Sequence, residues 1–246
     1  TFIGGVGTDT LDFTAVTGNL TVNLGSGGSL GSVSDADTSS SGQGNDVISG
    51  FENLLLGSGS DTVIGNEEWS SIDGGAGNDS IFGGAGQDTL VGGSGNDELD
   101  GGADADILIG GSGNDTLIGG AGVDLADYSA VTGDLTIDLV AETAIDSDPN
   151  GVGSDVVRGI ENITAGSGDD SIKGSSDNNI IIGGAGEDTI SGGGGNDTLT
   201  GGVGNDTVDY STNTAQQGVV VNLATNTASD GLGGTDTLSG FESVSG

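Results

Sequence analysis

The sequence predicts an all-β solenoid of stacked parallel strands with essentially no helix. Three observations carry that expectation. A nine-residue beat runs through GGAGNDSIF (74–82), GGAGQDTLV (83–91), GGSGNDELD (92–100), GGADADILI (101–109) and GGSGNDTLI (110–118), with glycines, one aspartate and one aliphatic residue at fixed offsets. Apolar residues alternate with polar ones at Leu20, Val22 and Leu24, at Leu135, Ile137 and Leu139, and at Val219, Val221 and Leu223, the spacing of half-buried strands, expected to be longer than those in the nonapeptides. No apolar stripe with a period of about 3.6 residues, the mark of an amphipathic helix, appears anywhere.

The elements follow in chain order. Residues 1–55 are a partial repeat unit: a copy GGVGTDTLD (4–12) carrying Asp9, the insert DFTAVTGNLTVNL (12–24), a polar loop, and a turn GQGNDVISGFEN (42–53) carrying Asp46. Residues 56–127 are the first nonapeptide block, in which LGSGSDTVI (56–64), GNEEWSSID (65–73) and GGAGVDLAD (119–127) are weaker copies. Residues 128–164 are an insert opened by DYSAVTGDLTIDL (127–139) and closed by GVGSDVVRGIEN (151–162), with Asp155. Residues 165–209 are the second block, from AGSGDDSIK (165–173) to GGVGNDTVD (201–209). Residues 210–246 are a partial third insert, DYSTNTAQQGVVVNL (209–223) followed by GGTDTLSGFES (233–243), with Asp236. In both blocks the second copy lacks its aspartate, with Ser70 and Asn179 in its place. Both ends of the chain cut through a repeat, so the expectation is a piece of a longer array or a subunit that stacks end to end.

Each offset has a physical task. The two glycines that open a copy can take φ > 0 and turn tightly, aiming backbone carbonyls inward. The last three residues are β-prone, and the middle one forms an apolar column: Val63, Ile72, Ile81, Leu90, Leu99, Leu108 and Leu117, then Ile172, Ile181, Ile190, Leu199 and Val208. Three-residue strands joined by turns make half a flattened coil, so two copies complete one turn and coils stack about 4.8 Å apart. Asp61, Asp79, Asp97 and Asp115 then share one edge, and Asp88, Asp106 and Asp124 the other. In the second block Asp170, Asp188 and Asp206 share an edge, facing Asp197.

Composition sharpens the chemistry. The chain has 246 residues, 54 of them glycine, a formal net charge of −36, and no Cys, His or Met. Its basic residues are Arg158 and Lys173, expected to pair with nearby acids at little energetic value where exposed. Such acidity repels nucleic acid and anionic membrane surfaces, and no apolar run reaches membrane-spanning length. Carboxylates stacked at one strand spacing repel unless a cation sits between them. Carboxylates and carbonyls without His or Cys form an all-oxygen shell, which suits a hard cation. An irregular carbonyl cage favours Ca²⁺ over octahedral Mg²⁺, at about eight sites. About two aliphatic side chains per coil are too few to hold a glycine-rich chain in order, so the metal-free state is expected to be disordered.

These nonapeptides resemble the Gly-Gly-x-Gly-x-Asp-x-aliphatic-x pattern of RTX calcium-binding β-roll proteins, over 56–127, 165–209 and the copy at 4–12. The resemblance implies a right-handed parallel β-roll, one-step secretion from a Gram-negative bacterium, and folding outside the cell in millimolar Ca²⁺. It also implies that each ion takes the aspartate carboxylate with carbonyls of the second and fourth turn positions. In the first block these are Gly75, Gly77 and Asp79; Gly84, Gly86 and Asp88; Gly93, Gly95 and Asp97; Gly102, Asp104 and Asp106; Gly111, Gly113 and Asp115; and Gly120, Gly122 and Asp124. In the second they are Asp170; Gly184, Gly186 and Asp188; Gly193, Gly195 and Asp197; and Gly202, Gly204 and Asp206. Half-sites at Ser70 and Asn179 are expected to be empty or water-filled.

Three roles compete at this stage: a structural or adhesive extracellular module of a surface layer, matrix or filament, able to associate end to end; a C-terminal secretion and folding module of a larger secreted enzyme or toxin; and an enzyme. Without His or Cys and with one Lys, nucleophile–base pairs have almost nothing to work with, so no catalytic residue is assigned. Trp69 is expected to cover the first coil, and Phe13, Tyr128 and Tyr210 to plug the roll where an insert begins. Glu67 and Glu68 read as solvated. An ice-binding role would ask for a threonine column in the turn, where Ala76, Ala85, Ser94, Ala103 and Ser112 stand instead.

Overall fold

The computed structural model describes residues 1–26, 29–35, 46–148, 151–212, 218–232 and 234–246. The polar loop at 36–45, including the start of the 42–53 turn, part of the insert at 213–217, and residue 233 lie outside the described residues. Two compact units are present, Thr1–Asp124 and Leu125–Gly246. Among the described residues every regular element is a strand.

In the first unit, one sheet runs in spatial order through Phe2–Ile3, Asp46–Ser49, Gly31–Asp35, Leu20–Asn23, Thr62–Asn66, Ser80–Ala85, Glu98–Ala103 and Thr116–Ala121. The other runs Thr10–Asp12, Asn53–Leu55, Ser71–Asp73, Thr89–Ser94 and Ile107–Ser112. Pairing within the nonapeptides is parallel, and its register steps by one coil: Val63 opposite Ile81, Ile81 opposite Leu99, Leu99 opposite Leu117. The second sheet aligns Leu54, Ile72, Leu90 and Leu108 in the same way. Alternate residues face opposite sides of a strand, and those of the apolar column point inward, where each is at most 2 % exposed.

The second unit repeats the plan. One sheet runs Ser154–Arg158, Thr143–Asp146, Leu135–Asp138, Ser171–Lys173, Thr189–Ser191, Thr207–Asp209 and Ser243–Ser245. The other runs Leu125–Asp127, Asn162–Thr164, Ile180–Ala185, Thr198–Val203, Thr235–Ser239, Thr227–Ser229 and Val220–Asn222. Its core aligns Ile137, Ile172, Ile190 and Val208 on one side and Ile163, Ile181 and Leu199 on the other.

Two features differ from the sequence expectation. Several nonapeptide strands are six residues long rather than three, because the glycine pair continues the ladder: Gly84 lies opposite Gly102, and Gly102 opposite Gly120. The insert strands Leu20–Asn23 and Leu135–Asp138, at four residues, are no longer than these. Each insert is also a three-stranded antiparallel meander. Leu20–Asn23 pairs antiparallel with Gly31–Asp35, which pairs antiparallel with Asp46–Ser49, while Leu20–Asn23 itself lies parallel to Thr62–Asn66. Residues 135–158 and 220–239 fold likewise. The middle strands carry serine, threonine and aspartate, which is why they read as polar loop.

Phe13, Tyr128 and Tyr210 are buried where each insert begins, whereas Trp69 stays 47 % exposed. Arg158 pairs with Glu142 and Lys173 with Asp138, at 2.9 and 3.0 Å, all on partly exposed side chains.

Candidate metal centre

The turns are built first by what glycine leaves out. In GGAGND (74–79) the second glycine, Gly75, has φ 88° and the fourth, Gly77, φ 127°, a region other residues enter only under strain. Gly84, Gly86, Gly93, Gly95, Gly102, Gly111, Gly113 and Gly120 repeat this in the first unit, as do Gly184, Gly186, Gly193, Gly195, Gly202 and Gly204 in the second. Gly122 does not, and at Asp104 an aspartate takes φ 76°. The opening glycine has a different task from the one expected of it. Gly74 has no positive φ, but a Cβ there would lie 2.5 Å from Asp79 Oδ2 and 2.8 Å from the Gly92 carbonyl oxygen. Gly83 faces Asp88 Oδ2 and the Gly101 carbonyl in the same manner, at 2.5 and 2.7 Å. A carboxylate oxygen and a carbonyl oxygen from the next coil therefore converge on space that only glycine leaves open.

The aspartates are locked by their other oxygen. Oδ1 of Asp79 accepts the backbone N–H of Asp61 at 2.7 Å, Oδ1 of Asp97 that of Asp79, and Oδ1 of Asp115 that of Asp97, both at 2.8 Å. On the opposite edge Asp88 accepts from Ser70, Asp106 from Asp88 and Asp124 from Asp106. Asp188 accepts from Asp170, and Asp206 from Asp188. The ladder runs on through the inserts, where a fixed spacing would not find it: Leu20 N donates to Asp61, Leu135 N to Asp170 and Asp197 N to Asp236.

The second oxygen is left over. Oδ2 of Asp61, Asp79, Asp88, Asp97, Asp106, Asp170, Asp188, Asp197 and Asp206 is buried with no hydrogen-bond partner. An uncompensated buried carboxylate oxygen is costly, and native proteins seldom tolerate one. Burial, with neighbouring carboxylates adding to it, pushes the Asp79, Asp88 and Asp170 carboxyls up to about 7 and those of Asp106 and Asp197 up to about 6. The hydrogen bonds to Oδ1 oppose that rise without cancelling it. What the sites want is a positive charge with oxygen ligands.

Neighbouring positions show what happens without an aspartate. Ser70 keeps the backbone link to Asp88. Asn179 uses its own amide, donating to the Glu161 carbonyl at 2.6 Å and accepting from Ser175 N at 2.8 Å. At the first copy Asp9 Oδ2 accepts Gly5 N at 2.5 Å, and Asp46 binds the Thr1 amine at 2.9 Å. Asp104 Oδ2 accepts Gly86 N at 3.2 Å. Asp155 and Asp236 accept the hydroxyls of Tyr128 and Tyr210. Sequence reasoning missed a second ladder, made by asparagines at the turn tips: Asn96 N donates to Asn78 Oδ1, Asn114 N to Asn96 Oδ1 and Asn196 N to Asn178 Oδ1. An exposed asparagine at a turn tip reads as solvated, and only its repetition at one coil spacing hints otherwise.

Among the described residues no three acidic side chains converge on one point. A cation held here must draw much of its shell from backbone carbonyls, the donor set that Ca²⁺ accepts in flexible geometry.

A family model for the RTX calcium-binding nonapeptide repeat, four copies long, matches residues 33–53, 55–90, 70–99, 91–126, 155–190 and 173–208, together more than half of the chain. No curated protein matches it.

Proposed function

Because the chain belongs to the RTX calcium-binding nonapeptide-repeat family, we propose that it is an extracellular structural or adhesive module whose coils are completed by calcium. The observation that carries this reading is the set of buried Oδ2 atoms, at Asp79, Asp88, Asp97, Asp106, Asp170, Asp188, Asp197 and Asp206, with no protein donor. Oδ1 ties each aspartate to the coil before it, and the opening glycine keeps the space beside Oδ2 clear. Oδ2 of Asp79, Asp88, Asp97, Asp106, Asp170, Asp188, Asp197 and Asp206, with the turn carbonyls, would hold the ions. Calcium, when bound, supplies the positive charge that lets stacked carboxylates stay ionised out of water. Sites of flexible carbonyl ligands match the high free calcium outside cells. That setting, with secretion from a Gram-negative bacterium, is the localisation proposed.

The structural role is supported by repetition without a catalytic constellation, in a chain that has neither His nor Cys. Association between copies through strand edges is part of the proposal: Val220–Asn222 is the outermost strand of its sheet, and Val220 is 66 % exposed. Far-UV circular dichroism across a calcium titration, followed by chelation, tests the first half. The expected result is a β spectrum that appears cooperatively with calcium and vanishes in EGTA; an unchanged spectrum in chelator refutes it. Electron microscopy with and without calcium tests the second, with chelator-sensitive filaments expected and dispersed particles in both conditions counting against it.

A further inference from the structure

Two buried aspartates break the pattern of the ladder. Asp155 and Asp236 are each 1 % exposed, yet Tyr128 Oη donates to Asp155 Oδ2 at 3.0 Å and Tyr210 Oη to Asp236 Oδ2 at 2.7 Å. At Asp79, Asp97 and Asp188 the same atom meets no protein donor. Tyr128 and Tyr210, 3 % and 2 % exposed, each follow the last copy of a nonapeptide block. Their aspartates sit on Ser154–Arg158 and Thr235–Ser239, the third strands of the two meanders. Asp236 still belongs to the ladder through Oδ1, which accepts Asp197 N at 3.1 Å. A phenol hydroxyl supplies a charge-assisted bond to a carboxylate, and that is the compensation the rung aspartates lack.

We propose that Tyr128 and Tyr210 take over at these seams the task calcium has at the rungs, so that Asp155 and Asp236 are closed by protein alone and hold no ion. The proposal rests on the calcium-ladder reading above and replaces the sequence expectation for these two aspartates. A third seam shows the contrast. Phe13 holds the equivalent place in the first insert, 7 % exposed but without a hydroxyl, and Asp46 there is 30 % exposed and bonded to the Thr1 amine. The tyrosines are positioning residues: each pins the strand that leads back from a meander, whatever the occupancy of the rungs.

Ions bound per chain at saturation, counted by native mass spectrometry for the full chain and for Asp188→Asn and Asp236→Asn, test this. Asp236→Asn is expected to keep the count of the unsubstituted chain, and Asp188→Asn to lose about one ion. Loss of an ion in Asp236→Asn, as in Asp188→Asn, overturns the seam proposal while leaving the ladder intact. A full count in Asp188→Asn overturns the ladder reading, and the seam proposal falls with it. A second measurement is independent of ion counting. In saturating calcium Tyr210→Phe is expected to lower Tm by about 4–8 °C, and by less than about 2 °C in the Asp236→Asn background, because the bond removed is one to charge. Equal losses in both backgrounds would mean a hydroxyl whose contribution does not run through Asp236, and no loss in either would mean a ring that only packs; each outcome would overturn the proposal.

Discussion

Asn96 and Asn78 are joined in the opposite sense to the aspartates that follow them. The N–H of Asn96 reaches back 2.9 Å to Oδ1 of Asn78, while the N–H of Asp79 reaches forward 2.8 Å to Oδ1 of Asp97. Adjacent side chains of one turn therefore clasp the coil on either side, one ladder exposed and one buried.

Removing the exposed ladder is expected to cost little and to spare the metal. Asn96→Ala removes the Oδ1 that accepts the Asn114 N–H, while its own backbone N–H still donates to Asn78, and should lower stability in saturating calcium by about 1 kcal/mol without changing the ions bound per chain. Denaturant unfolding alongside ion counting checks this. A lost ion would mean that the asparagine belongs to the metal shell.

Glycines of one turn should fail for different reasons. Gly93→Ala must both hold φ near 105° and press its methyl on the Gly75 carbonyl of the preceding coil, whereas Gly92→Ala has no positive φ to hold but places a methyl against Asp97 Oδ2 and the Gly110 carbonyl. Gly92→Ala is expected to lose about one ion along with stability. Gly93→Ala is expected to cost more than about 1–2 kcal/mol, the strain of the left-handed backbone alone, because the Gly75 carbonyl must move as well, and so to lower Tm further than Gly92→Ala does. Tm and ion counts on both variants decide the point.

Asn179→Asp restores a column that the second block interrupts. Its new oxygen would face the Glu161 carbonyl, 2.6 Å from the amide nitrogen it replaces, so the substitution should weaken any residual fold in chelator. In calcium it is expected to bind about one additional ion. Isothermal titration calorimetry should show the added site, and an unchanged stoichiometry would argue against carboxylates as the limiting ligand.

Acid should act oppositely with and without metal. In the metal-free fold the carboxyls of Asp79, Asp88 and Asp170 are raised from 3.8 to about 7. The folded chain then binds more protons than the unfolded one between those values. Its stability is fullest below about pH 4 and is lost as pH rises toward 7. A chelated sample should gain β signal on acidification to about pH 4.5. A calcium-loaded sample should need more calcium to fold at that pH, because protons compete for the same oxygens. Dichroism titrations at the two pH values provide the check.

Much of the architecture was legible because it repeats. The column Ile81, Leu99, Leu117 announces both the strand and its register, and the aspartate two residues earlier announces the edge on which carboxylates stack. The middle strands Gly31–Asp35 and Thr143–Asp146 were not legible, since serine and aspartate on a half-solvated strand look like loop residues. The role of Gly74 was hidden because absence of a side chain has the same letter whether it serves a turn or makes room for a neighbour. The links from Leu20 to Asp61 and from Leu135 to Asp170 escaped because they span 41 and 35 residues, not one coil.

The meander at 135–158 has a practical consequence. Its hairpin tip, where Val140 is 64 % exposed and Glu142 turns with φ 59°, joins two strands that are hydrogen-bonded to each other. A foreign peptide grafted between Asp138 and Thr143 lengthens a surface loop at small entropic cost and leaves the coil register untouched. On the proposed calcium-dependent fold, such a graft is expected to be presented when calcium is supplied and withdrawn when calcium is chelated.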